Sequence, residues 1–111
     1  MSRGDELWSI TVKILKTLYD EGAISEATGV MGVTLVKEMV KEAQARKVEG
    51  AKEEAVTNAD VQQLMLWLES EELIDGGWTT GGANVWLSLE GFKEGHRLSE
   101  EDAGGQKPFY Y

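Results

Sequence analysis

The chain contains no cysteine, a single proline and a single histidine in 111 residues, and its 11 Lys and Arg are outnumbered by 20 Asp and Glu. The missing thiols exclude disulfides, thiolate catalysis and cysteine-based zinc sites together, and they fit a reducing compartment. His96 has no second imidazole or thiolate with which to share a metal, so no metal or cofactor is expected. Long apolar runs are also absent: none approaches the ~20 residues of a membrane span, and residues 1–6 lack the apolar stretch of a signal peptide. A cytoplasmic chain with no membrane association is the expectation. The carboxylate pairs Glu71-Glu72 and Glu100-Glu101 are sequence neighbours rather than acids facing across a cleft, and nothing marks an activated Ser, Lys or Tyr. Gly76-Gly77 and Gly81-Gly82 precede no lysine and no helix start at phosphate-loop spacing. Enzymatic activity is therefore not expected.

What is present is an ordinary globular apolar content of 41 %, in a chain long enough to bury roughly two-thirds of its unfolded surface as one domain. Residues 5–19 repeat Leu7, Ile10, Ile14 and Leu18 at helical spacing, with Trp8, Val12, Leu15 and Tyr19 on the adjoining face. Asp5 and Glu6 suit a helix N-terminus and Gly22 a stop; Trp8 is read as core. Residues 22–32, with three glycines, read as a loop holding one short extended piece near Ile24. Residues 33–47 are helical again, burying Val36, Met39, Val40 and Ala43, with Glu38/Lys41 and Glu42/Arg46 at ion-pair spacing. Residues 48–55 form a charged connection.

The sharpest local signal is Val56-Thr57-Asn58-Ala59-Asp60-Val61. Thr57 and Asp60 make a capping-box pair, and Val56 and Val61 stand at the positions of a hydrophobic staple. The helix they open buries Val61, Leu64, Met65 and Leu68 and is expected to run through Glu69-Ser70-Glu71-Glu72 to Leu73-Ile74. Glycines then surround two short β-prone runs, one with Trp78 and one with Trp86, which predicts a two-stranded hairpin. Alternation turns Val85 and Leu87 inward and Trp86 outward. Ser88 caps a short last helix over 89–98, and residues 99–111 form an acidic mobile tail ending in Phe109-Tyr110-Tyr111.

The order helix, helix, capped helix, glycine-rich hairpin, short helix resembles the winged helix-turn-helix family. The residues that carry the likeness are 57–61 opening the third helix, Leu68-Glu69-Ser70-Glu71-Glu72-Leu73-Ile74 closing it, and Leu87-Ser88-Leu89-Glu90-Gly91 after the hairpin. The resemblance covers roughly residues 5–98 and implies an α+β, mainly helical domain over 1–98: a three-helix core, a C-terminal β-hairpin wing and a short helix, with the tail over 99–111. It further implies transcription-regulator-like binding of double-stranded DNA by the third helix and the wing. On this chain Asn58, Gln62 and Gln63 would meet phosphate and base edges.

The charge pattern departs from that expectation. Residues 56–75 hold five acids and no base, whereas 31–55 hold five of the eleven basic residues against five acids. Phosphate contacts would therefore come from Lys37, Lys41, Arg46 and Lys47, with Lys52 nearby and help from Arg3, Lys13 or Lys16. The alternative is a protein-interaction module, or a DNA-mimicking inhibitor, in which Trp78 and Trp86 act as anchors and Glu69, Glu71 and Glu72 face a basic partner. The plainer reading of those acids is a solvated face. The surplus apolar stripe of the first helix is covered on this reading either by a second copy, making a homodimer, or by the aromatic C-terminus.

Overall fold

The computed structural model describes residues 3–45, 55–76 and 83–105. It is an α+β, mainly helical domain with four helices and a small antiparallel sheet. In chain order these are α1 (Arg3–Asp20), β1 (Val30–Met31), α2 (Gly32–Ala45), α3 (Asn58–Ser70), β2 (Ile74–Asp75), β3 (Asn84–Leu87) and α4 (Leu89–Gly105).

Local interactions bound α1, α3 and α4. Asp5 and Glu6 occupy the first turn of α1, where the helix dipole favours negative charge. At its other end the Ala23 N–H donates to Leu18 O (3.0 Å) and the Gly22 N–H to Tyr19 O (3.1 Å), with Gly22 at φ +68°. This is the paired C-terminal arrangement that satisfies otherwise orphaned carbonyls. At the start of α3 the capping box is complete: the Asp60 N–H donates to Thr57 Oγ1 (3.3 Å) and the Thr57 N–H to Asp60 Oδ2 (3.0 Å). Val56 and Val61 beside it are both buried, as a hydrophobic staple requires.

The third helix is shorter than its pattern suggests. It stops at Ser70, where the Leu73 N–H donates to Leu68 O (2.9 Å) and the Glu72 N–H to Glu69 O (2.9 Å). Glu72 stands at the left-handed position with φ +62°, which a side chain tolerates poorly. That reversal frees Ile74 to become β2, so Leu73-Ile74 belong to the sheet side of the turn and not to the helix.

The sheet has three strands in the order β1-β3-β2. Val30 faces Val85 and Met31 faces Asn84, while Ile74 faces Leu87 and Asp75 faces Trp86. The extended piece expected near Ile24 is displaced to β1; at Ile24 the chain is in a turn held by Thr28 Oγ1, which accepts from the N–H groups of Ile24 (3.0 Å) and Ser25 (3.1 Å). A strand thus stands between the first two helices and pairs with β3, where a two-stranded hairpin alone was expected. The first hairpin strand around Trp78, the Gly81-Gly82 tip and the Phe109-Tyr110-Tyr111 terminus lie outside the described residues.

The last helix is also longer than expected. It runs for 17 residues, so 99–105, taken in the sequence for tail, continue α4. Ser88 caps it: Ser88 Oγ accepts from the Gly91 N–H (3.1 Å) and donates to the Glu72 carbonyl, while the Ser88 N–H donates to Leu73 O (3.1 Å). Farther along, α4 crosses α1, with Gly95 against Tyr19, the Tyr19 and Phe92 rings 5.2 Å apart and the Tyr19 hydroxyl 2.7 Å from His96 Nδ1. The core between these layers is built from Ile10, Ile14 and Leu18 of α1, Leu35 and Met39 of α2, Val61 and Met65 of α3, and Ile74, Val85 and Leu87 of the sheet.

Two substitutions of opposite sign test this account. A β-carbon at Gly91 would collide with the Leu73 carbonyl, a backbone atom that cannot step aside. Gly91→Ala is expected to lower stability by ~1–3 kcal/mol. Glu72→Gly relieves the left-handed backbone and is expected to raise stability by about 0.5–1 kcal/mol after the added freedom of the unfolded chain is subtracted. Thermal and urea melts of the two variants read both signs.

Candidate functional site

Two surfaces of α3 differ in chemistry. Its buried residues, Val61, Leu64, Met65 and Leu68, define one side. Opposite them Asn58, Ala59, Gln62, Gln63, Leu66 and Ser70 are exposed and make an uncharged stripe along the helix. The acids of this segment stand elsewhere. Asp60 is bound into the cap, Glu69 is half-buried at the edge, and Glu71, Glu72 and Asp75 are exposed beyond the last turn. The five negative charges that the sequence assigns to the segment therefore do not lie on the helix's outward stripe.

Helix α2 lies beside α3 and supplies the nearest cations. Lys37, Lys41 and Gln44 are spaced by four and three residues and share one face. Gln44 Nε2 reaches Val56 O (3.2 Å), immediately before the Thr57 cap. Both lysines are exposed, and neither forms an ion pair among the described residues. On the opposite side of the helix Glu42 meets Lys13 of α1 at 3.6 Å, while Arg46, its expected partner, lies outside the described residues. Of the residues expected to bind DNA, Lys37, Lys41, Asn58, Gln62 and Gln63 are thus exposed on the paired helices α2 and α3. Arg46 and Lys47, with Lys52, lie outside the described residues, as does Trp78.

The tryptophans reverse the sequence assignment. Trp8, read as core, is 64 % exposed, and Trp67 is 59 % exposed. Trp86, read as an outward anchor, is half-buried and packs against the core with its ring over Gly76. The reason is tertiary. Ile10, Ile14 and Leu18 already fill the core side of α1, leaving Trp8 on the flank, whereas the ring of Trp86 lies close to the chain at Gly76.

Trp8 and Trp67 stand on the same apolar groove, of about 490 Å³, between α1, the end of α3 and α4. Leu7, Leu15, Leu64 and Leu98 supply aliphatic wall, and the Thr11 hydroxyl in the wall is already donated to Leu7 O (2.9 Å). Among the described residues its ionisable lining side chains are Glu71 and Glu94. Glu94 is bonded to Arg97, whose Nε donates to Glu94 Oε1 (3.0 Å) and whose Nη1 lies 2.9 Å from Glu101 Oε2. The hydrogen bond to Glu94, with the charge of Glu101 behind it, holds the Arg97 guanidinium above its ordinary value. Sequence periodicity missed the groove because its walls come from three helices far apart in the chain; the doubled apolar face of α1 was the one signal for it.

Among the described residues no group of three or more His, Asp or Glu side chains is arranged to hold a metal, and no helix is long and apolar enough to cross a membrane. Trp86→Ala is expected to cost about 1–3 kcal/mol, below the ~3–5 kcal/mol for a fully buried aromatic because the ring is only half-buried, yet packed and not free. A urea melt of that variant with an unchanged midpoint would return Trp86 to the role of exposed anchor. Comparisons with protein-family models, with curated proteins and with solved structures yield no match, so the functional reading rests on the geometry of this chain.

Proposed function

We propose that the chain is a winged-helix module that binds double-stranded DNA with the exposed stripe of α3. The observation that carries this reading is that the stripe presents Asn58, Gln62 and Gln63 and no carboxylate, beside Lys37 and Lys41 on α2. The strand order β1-β3-β2 and the capped α3 lying against α2 support the winged-helix arrangement. Glutamine side chains match the paired donor and acceptor of adenine in the major groove, and Ala59 and Leu66 offer apolar contact of the kind that meets thymine methyls. Backbone N–H groups at the start of α3, with Asn58, suit a phosphate, and the two lysines add charge. The rival reading, a protein interface anchored on Trp86, is weakened by the packing of that ring against the core.

Fluorescence anisotropy with mixed-sequence duplexes tests the reading. Binding is expected at ~50 mM salt and should fall steeply as salt rises, since phosphate contacts release counterions. Lys37→Ala with Lys41→Ala is expected to reduce the salt slope by about 1.8, near 0.9 for each lost phosphate contact. Gln62→Ala with Gln63→Ala should leave that slope unchanged and flatten the preference for A·T-containing sites by ~1–3 kcal/mol per lost pair. Absence of binding to any duplex at ~50 mM salt, where such contacts are strongest, overturns the proposal.

A further inference from the structure

The groove between α1, α3 and α4 is an apolar feature that no part of the DNA reading uses. Its volume of about 490 Å³ falls within the ~300–1,000 Å³ of small-molecule sites and is lined in the same manner, by apolar and aromatic side chains with few polar groups. Two details narrow the chemistry of an occupant. The first is the pair of indoles, Trp8 and Trp67, both more than half exposed at the groove, whose faces attract cations through the ring quadrupole. The second is charge: among the described residues, the ionisable side chains lining the groove are the carboxylates of Glu71 and Glu94. Glu94 is partly neutralised by Arg97, but Glu71 is exposed and makes no side-chain hydrogen bond or ion pair among the described residues. The Thr11 hydroxyl in the wall is committed to Leu7 O.

We propose that this groove binds a lipophilic organic cation, with its apolar body against Leu7, Leu15, Leu64 and Leu98, its charge over the Trp8 and Trp67 faces, and Glu71 as counter-ion. A neutral apolar molecule would satisfy the walls but leave Glu71 without a partner. An anion of the same shape would meet two carboxylates. The inference is independent of DNA binding, since none of Lys37, Lys41, Asn58, Gln62 and Gln63 lines the groove.

The test uses two probes of the same shape and opposite charge, tetraphenylphosphonium and tetraphenylborate. They are titrated into the full chain at ~100 mM ionic strength, where charges more than about 10 Å away are screened. Tryptophan fluorescence and calorimetry report binding. The phosphonium ion is expected to bind saturably at one site and at least tenfold more tightly than the borate. Trp8→Ala should weaken the phosphonium about tenfold, a loss in the range for a desolvated cation–aromatic contact. Glu71→Gln should weaken it several-fold and strengthen the borate, whereas Glu38→Gln, on the helix that does not line the groove, should change neither. Melting curves establish that each variant is folded. Equal affinity for the two ions, equal losses in Glu71→Gln and Glu38→Gln, or unchanged binding in Trp8→Ala would each overturn the assignment. So would a failure of the phosphonium to bind, including one accompanied by concentration-dependent self-association in sedimentation, which would give the groove to a second copy of the chain.

Discussion

The close approach of α4 to the turn after α3 is the constraint on which the rest depends. Ser88 satisfies its own helix through the Gly91 N–H and holds the preceding turn through the Glu72 carbonyl, while Gly91 has no side chain and lets the Leu73 carbonyl come near. Because Leu73 and Ser88 are tied at 3.1 Å, Ile74 is brought opposite Leu87 and β2 can pair with β3. The same tie aims α4 back across α1, where Gly95 and Tyr19 meet. The left-handed backbone of Glu72 is the local strain that this junction imposes, and it is offset by the ladder and core contacts that follow.

Charge is sorted by the same architecture. The chain carries a net charge of -9, yet several acids are committed within the fold. Asp60 closes the α3 cap, Glu42 meets Lys13, Glu94 and Glu101 share Arg97, and Glu100 lies 3.8 Å from His96 Nε2. These exposed pairs add little stability individually, a few tenths of a kcal/mol up to about one. Their larger effect is on where charge remains uncompensated. The outward stripe of α3 is neutral, and Glu71 stands at the mouth of an apolar groove. A bulk charge that argues against nucleic acid therefore becomes two local statements of different sign, one for each surface of α3.

Much of this was legible in the residues, and the division follows interaction range. The Thr57/Asp60 box, the staple of Val56 and Val61, the stop at Gly22 and the cap at Ser88 are interactions between residues at most five apart, so their spacing in the chain is their geometry. The inward pair Val85 and Leu87 was equally plain from alternation. Less was legible where one residue type suits two environments. Glu69 to Ile74 continues a helical composition, yet the helix stops at Ser70, where Glu72 turns left-handed and Ile74 pairs with Leu87. Residues 99–105 look like a solvated tail, yet they continue a helix already anchored by Ser88, Tyr19 and Phe92. The candidate site divides in the same manner: the exposure of Asn58, Gln62 and Gln63 followed from helix periodicity, but the groove did not.

The sequence by itself determined the helical cores and their caps, because these depend on contacts within a few turns of one segment. Only the tertiary structure decided where β1 lies, which tryptophans face solvent and what the surplus apolar face of α1 forms. Trp8 and Trp86 show the reason. Each sits on an element with two usable faces, and burial goes to whichever face meets another part of the chain. For Trp86 that part is the backbone at Gly76; for Trp8 the neighbouring helices leave an open groove.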